Sequence, residues 1–350
     1  MEHWQECWSL NTIFNMTRIQ FIHTYKHIIS IDNLLFAWKE FSVDKKLRKD
    51  VLDFERNLMD NIIDLHNELL SKTYKHSDYY AFNISDPKPR SIHKAKVRDR
   101  LLHHAIYRIL YPFFDRTFIS DSYSCRNNKG THKAIQRFRT FSNKVSKNNT
   151  RTVWILKGDI RKFFASIDQN ILIEIIKKYI RDDDVISLLS EIIKSFQSTQ
   201  EGIGLPLGNL TSQLLVNIYM NEFDQFIKHK LKVKYYIRYA DDFIIMSENK
   251  KWIEEYILPQ ISNFLKEQLK LSLHPNKVSI NTFASGIDFL GWVHFPNHRV
   301  IRTVTKRRMW KRIKLKEGKI DTVQSYLGLL SHGNARKITT EISTKYLNKK

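Results

Sequence analysis

Cysteine is nearly missing: Cys7 and Cys125 are the only two in 350 residues, and they lie far apart. They form neither a disulfide framework nor a metal spacing, so a reduced, cytoplasmic setting is expected. Long apolar runs are missing as well. None approaches the roughly 20 residues of a membrane span, and no membrane partner is expected. The start, Met1-Glu2-His3-Trp4-Gln5, lacks the basic-then-apolar pattern of a signal peptide. There is no internal repeat and no low-complexity tract. Acidic residues are scarce beside basic ones, 36 against 58, giving a net charge of +22 and a pI near 9.8. That excess says nothing about fold, but it predicts attraction to polyanions.

What is present is a globular composition, 42% hydrophobic and 12% aromatic, long enough for two or three subdomains. Residues 1–80 read as largely helical, with apolar positions such as Leu52, Phe54, Leu58, Ile62 and Leu65 at three- and four-residue steps. Asp86-Pro87-Lys88-Pro89-Arg90 then breaks the helix pattern. The basic cluster Lys94, Lys96, Arg98 and Arg100 follows, as an exposed basic loop or as a strand pair holding phosphates. Helix resumes at Leu101, and His103 and His104 read as packing residues. Residues 120–130 form a loop, 131–141 a helix, and 143–149 a flexible connection.

Val153–Leu156 reads as a buried strand ending in Lys157-Gly158-Asp159. Asp168 is placed to cap a helix over 169–180, and a second helix covers 185–196. Gly202 to Gln213 contains glycines and a proline in a constrained loop, followed by a helix over 212–227 whose N-terminus faces any ligand there. Tyr235-Tyr236-Ile237 and Phe243-Ile244-Ile245-Met246 read as two strands joined by the turn Tyr239-Ala240-Asp241-Asp242. A helix over 252–269, the isolated Lys277 and the turn Phe289-Leu290-Gly291-Trp292 follow. Residues 306–319 hold eight Lys/Arg against the single Glu317, and 321–333 look like a further helix.

Adjacent carboxylates repel, and a divalent cation removes that cost. Asp159, Asp241 and Asp242 at strand ends could therefore hold two Mg²⁺ ions, with Mn²⁺ as a substitute, in the manner of in-line phosphoryl transfer. A solvated acidic turn is the rival reading of Tyr239–Asp242 taken alone.

These motifs, in this order over about residues 30–335, resemble the reverse transcriptases. Lys88–Ile92 and Arg98-Asp99-Arg100 are similar to the fingers motifs, Asp159–Asp168 to the first palm motif, Gly204–Gln213 to the second, and Tyr239–Asp242 to the YxDD box. Lys277 and Phe289–Trp292 match the two palm motifs after it. The resemblance implies an α+β right-hand polymerase. Its expected parts are an N-terminal helical segment over 1–80, fingers over 81–150, a palm over 151–295 with fingers elements near 170–205, and a thumb over 296–350.

The resemblance also implies roles. Asp159, Asp241 and Asp242 would be catalytic, and with Ile160 would form the metal site. Lys88, Arg90, Phe163, Phe164, Leu207, Gly208 and Lys277 would meet the incoming dNTP, Phe164 as the bulky gate against a ribose 2′-hydroxyl. Arg98, Arg100, Ser212, Gln213, Tyr239, Gly291, Trp292, Arg307, Arg308 and Lys311 would contact template RNA and cDNA.

Within the family, Leu207-Gly208 replaces the Gln-Gly usual in group II intron and retroviral enzymes. Gly208–Gln213, with Asp121–Arg126 and Lys129–His132, resembles the diversity-generating retroelement group. Members of that group copy an RNA repeat with errors at adenine beside a small basic accessory protein. Antiphage-defence reverse transcriptases, which use a structured noncoding RNA, share much of the pattern. No RNase H, maturase or endonuclease extension is evident, which speaks against a full intron enzyme. A non-catalytic RNA-binding scaffold is the alternative of another class.

Overall fold

The computed structural model describes residues 19–85 and 89–347. Cys7 and Lys88 lie outside the described residues. Among the described residues, four helices come first: α1 (Tyr25–Ile29), α2 (Ile31–Ser42), α3 (Lys49–Arg56) and α4 (Leu58–Leu70). Leu34, Ala37, Trp38 and Phe41 recur along α2 at helical spacing and are buried, mostly against α5 (Val97–Asp115). Between them stands an antiparallel hairpin of β1 (Tyr80–Ile84) and β2 (Arg90–Lys94), whose register pairs Tyr80 with Lys94 and Ile84 with Arg90. Only Ala95 and Lys96 separate β2 from α5. Lys94 ends the strand pair as expected, while Arg98 and Arg100 lie on the first turn of a helix, which corrects the strand-pair reading for those two.

The central sheet takes its strands from distant parts of the sequence: β3 (Trp154–Gly158), β4 (Tyr236–Tyr239), β5 (Asp242–Ser247) and β6 (Ser279–Thr282), in the order β4-β5-β3-β6 and wholly antiparallel. Alternation along each strand sorts its side chains onto two faces. Leu156, Tyr236, Phe243 and Ile245 join the large core with α5, α7 (Gln169–Lys177), α8 (Asp183–Lys194), α9 (Leu210–Gln225) and α10 (Leu258–Leu269). Ile155, Ile237, Ile244 and Met246 join a second core with Phe138 and Phe141 of α6 (Thr131–Val145). Both faces being covered explains why β3 and β5 read as nearly continuous apolar runs.

Local chemistry sets several boundaries. The Asp168 carboxylate accepts from the Ile171 N–H at 3.0 Å, the expected N-cap. The segment after α6 is a set of hydrogen-bonded turns with Lys147, Asn148 and Asn149 at positive φ, not a free connection; Asn149 N donates to Ser146 Oγ. Helix α9 starts two residues earlier than the sequence suggests and passes into a π-turn over Phe226–Lys230.

A three-stranded antiparallel sheet, β7 (Ile287–Phe289), β8 (Trp292–His294) and β9 (Arg299–Ile301), leads to α11 (Thr303–Leu315), α12 (Ile320–Leu330) and an unforeseen α13 (Arg336–Tyr346). Trp292, Met309, Ile313, Val323, Leu330 and Ile342 form a third core with Ile135 of α6. The mixed α+β architecture with antiparallel sheets is the expected class. Among the described residues, no helix is long and apolar enough to cross a membrane.

Candidate active site

The β4–β5 hairpin pairs Tyr239 with Asp242 across a turn of only Ala240 and Asp241. Ala240 sits at φ +55°, a left-handed conformation that costs a residue with a β-carbon, so the surroundings must hold it. They do so through Arg238, which is fully buried. Its guanidinium donates to Asp224 Oδ1 at 2.8 Å and Oδ2 at 2.7 Å, to Ser122 Oγ at 3.0 Å, and to the Ala240 carbonyl at 3.0 Å. Tyr236 Oη donates to the same Asp224 at 2.7 Å. Burial alone would depress the Arg238 pKa, and the Asp224 carboxylate more than offsets it. Neither Arg238 nor Asp224 is singled out by sequence reasoning. A charged residue inside an otherwise apolar strand was the available signal.

Asp159 follows the last residue of β3, and its backbone continues into a pairing with the segment after α10: His274 N donates to the Asp159 carbonyl at 2.7 Å and Arg161 N to Ser272 O at 2.9 Å. Gly158 stands opposite Phe243, and a Cβ there would land inside the phenylalanine ring. Glycine is what allows β3 to lie this close. Asp159 and Asp242 then meet side chain to side chain across the sheet end.

Asp242 is pushed up to about 6, first by burial, then by the Asp241 and Asp159 carboxylates and the hydrogen bond to Asp159, with Lys157 opposing. Lys157, also missed, donates to the Asp288 carbonyl at 2.7 Å. Lys277 Nζ reaches Asp159 Oδ1 at 2.8 Å.

This donor set, crowded hard oxygens that disfavour one another's charge, fits a divalent cation. Among the described residues, no three acidic, histidine or cysteine side chains already converge as a metal cluster. Ile160 buries its side chain, so its carbonyl is the oxygen it could offer.

The other residues singled out from sequence divide sharply. Phe164 is half-buried on a short 3₁₀ turn after Lys162, while the side chain of its neighbour Phe163 is buried in the large core. Leu207 is tied to β2 by the His93 N–H at 3.0 Å, and Gly208 is exposed at φ +112° with Ile92 close behind it. Arg90 is exposed on β2. Arg98 pairs with Glu68 and Arg100 with Asp50, so both serve first as helix anchors rather than free phosphate ligands.

Ser212 and Trp292, expected to contact nucleic acid, have buried side chains. The first packs inside α9; the second fills the third core, its ring filling the space a side chain at Gly333 would need. Tyr239 Oη lies 3.2 Å from Thr131 Oγ1, and Gly291 turns the β7–β8 hairpin at φ +87°. On α11, Arg307 and Lys311 are exposed, while Arg308 is half-buried and engaged in contacts.

A basic recess of about 280 Å³ is lined by Lys45, Arg48, Lys94, Arg100, Gly208 and Gln213 among others. Three buried polar atoms on its lining residues, Arg100 Nε, His103 Nδ1 and Asn209 Oδ1, have no hydrogen-bond partner. Its chemistry suits an anionic ligand carrying both donors and acceptors.

Comparison with known proteins agrees with this geometry. The family model described as reverse transcriptase (RNA-dependent DNA polymerase) matches residues 83–294. Protein YkfC of Escherichia coli (strain K12) is 28% identical over 279 residues, covering 68% of this chain and 70% of its own length. The group II intron-encoded protein LtrA of Lactococcus lactis subsp. cremoris is 23% identical over 366 aligned residues, covering 83% of this chain; the chain spans 59% of that relative.

Proposed function

The chain belongs to the reverse transcriptase family, and we propose that it makes cDNA from a specific RNA by two-metal nucleotidyl transfer. The observation that carries this reading is the placement of Asp159 opposite Asp242 and beside Asp241 at one end of the sheet, where burial and the neighbouring carboxylates disfavour the charge on Asp242. Asp159, Asp241, Asp242 and the Ile160 carbonyl would hold Mg²⁺ or Mn²⁺. Ions there would lower the pKa of a primer 3′-hydroxyl and neutralise the triphosphate.

The protein's own groups do the positioning. Arg90 and Lys88 would meet the triphosphate from the hairpin side. Lys277 can exchange the Asp159 carboxylate for a phosphate oxygen. Phe164 would press against the sugar where a 2′-hydroxyl would project, and Gly208, lacking a side chain, would let the nascent pair approach. The recess beside Gly208 and Gln213 would take the template strand. Arg307 and Lys311 would hold backbone phosphates, which position without reading sequence. On this reading 81–150 act as fingers, 151–295 as palm and 296–350 as thumb.

We assign the RNA to a diversity-generating element, because Leu207 offers no amide beside the nascent pair and base selection should loosen. A small basic accessory protein would then assist. A second reading, an intron-borne enzyme, is supported by the similarity to LtrA, an intron-encoded protein.

Sequencing the RNA and cDNA that co-purify with the protein, beside an Asp241→Asn/Asp242→Asn control, tests all of this. cDNA from a repeat with substitutions at template adenines supports the first assignment, and intron cDNA supports the second. cDNA from a structured noncoding RNA would move the protein to the antiphage-defence group. Absence of cDNA that depends on the aspartates would overturn catalysis and leave an RNA-binding scaffold.

A further inference from the structure

We infer that a second nucleic-acid site, for the phosphodiester backbone of a single strand, lies in the groove between α6, the β8–β9 turn and the α12–α13 loop. The groove measures about 670 Å³ and shares no lining residue with the acid cluster or with the recess beside Gly208. No Asp or Glu lines it.

That matters because an arginine facing a carboxylate is already neutralised, as Arg98, Arg100, Arg126, Arg137 and Arg238 are. Arg139 and Arg299 line the groove, and among the described residues neither pairs with one. Both burial and the neighbouring Arg139 disfavour the charge on Arg299. An anion between the two guanidinium groups relieves that repulsion, and a planar fork suits phosphate oxygens.

The walls are tied in place. Arg299 Nε donates to the His332 carbonyl, Asn334 N to the Arg299 carbonyl at 2.8 Å, and Asn149 Nδ2 to Asn297 Oδ1 at 3.3 Å. The volume exceeds one phosphate, and the remaining lining supplies what a nucleotide offers partners for. His132 and His332 rings lie 4.3 Å apart, and His298 stacks on Phe295 at 4.9 Å. Rings for bases beside cations for phosphates is the composition of a single-strand site.

The strand could be part of the template–primer or of a separate RNA, and binding distinguishes them. Fluorescence anisotropy across a salt series would compare wild type, Arg139→Gln and Arg139→Lys on two probes: an unstructured single-stranded RNA, and a DNA primer annealed to an RNA template. Arg139 is exposed, so neither substitution threatens folding.

Arg139→Gln should raise Kd about five- to tenfold on at least one probe and flatten the salt slope by about one, and Arg139→Lys should restore the slope. A loss confined to single-stranded RNA assigns the site to a separate RNA; a loss confined to the duplex probe assigns it to template–primer. Unchanged affinity and slope on both probes would overturn the inference. Primer extension by the same samples is an independent readout: failure of wild type to extend would strike the polymerase reading and leave this one standing.

Discussion

Arg238 and Asp224 form a bidentate ion pair with no exposure to solvent, directly behind the turn that carries Asp241 and Asp242. Arg238→Gln would strand the Asp224 carboxylate in the core with Tyr236 as its main partner. Breaking such a pair costs about 3–5 kcal/mol, readable by urea unfolding. Primer extension should fall further than the loss of folded protein explains, because the Ala240 carbonyl loses its donor. Wild-type stability in the variant would show that the brace is dispensable.

Gly158→Ala drives a methyl group into the Phe243 ring and pushes Asp159 away from Asp242. The overpacking should cost about 1–3 kcal/mol and sharply reduce kcat. Pairing it with Phe243→Leu makes room and should recover part of both. If the double variant is no better than the single, crowding is not the cause.

Phe164→Ala should admit ribonucleotides. A cavity-sized change in a pocket shifts discrimination by about 10- to 200-fold, so the ratio of kcat/KM for dNTP over rNTP is the number to measure. An unchanged ratio would remove Phe164 from the sugar pocket.

His104 and His294 are each lowered to about 4, mainly by burial. Between the ordinary histidine pKa of about 6.5 and that value, the unfolded chain binds more protons than the native one, so stability falls as pH drops through this window. Asp242, raised to about 6, works in the opposite direction: its native state binds the extra proton, and its contribution is lost as pH rises through 6. In EDTA, His104→Phe should flatten the acid limb by about 2 kcal/mol, and Asp242→Asn should stabilise above pH 6 without effect below pH 4. Chemical denaturation at pH 4, 5, 6 and 8 reads both.

Arg307→Glu with Lys311→Glu should weaken template–primer binding and flatten the dependence of log Kd on log salt by about two or more. Melting temperature should hold, since both side chains are exposed. An unchanged slope would make this face of α11 merely solvated.

The hairpin of Tyr239–Asp242, the strand before Asp159 and the Asp168 cap were legible in the sequence because each is set by neighbours along the chain. What was not legible depends on partners far away in sequence. Arg98 and Arg100 look free until Glu68 and Asp50 arrive from α4 and α3. Trp292 and Phe163 look like ligand contacts, since an aromatic residue beside a motif carries no mark of which side it faces. Arg238 finds Asp224 across the interval between α9 and β4, and Lys277 finds Asp159 across 118 residues.

The strand order β4-β5-β3-β6 has a consequence for biosynthesis. As the chain leaves the ribosome, β3 emerges with both edges unpaired, and its neighbours β5 and β6 are synthesised only after residues 242 and 279. Until then an apolar strand is exposed along two open edges, the situation that invites pairing with another chain. Asp159 also waits, without Asp242 or Lys277, while the whole stretch from α7 to β4 is made. Nascent chains stalled before residue 242 should therefore be both inert and the most aggregation-prone, and the enzyme becomes competent late, after β5 and then β6 close the sheet.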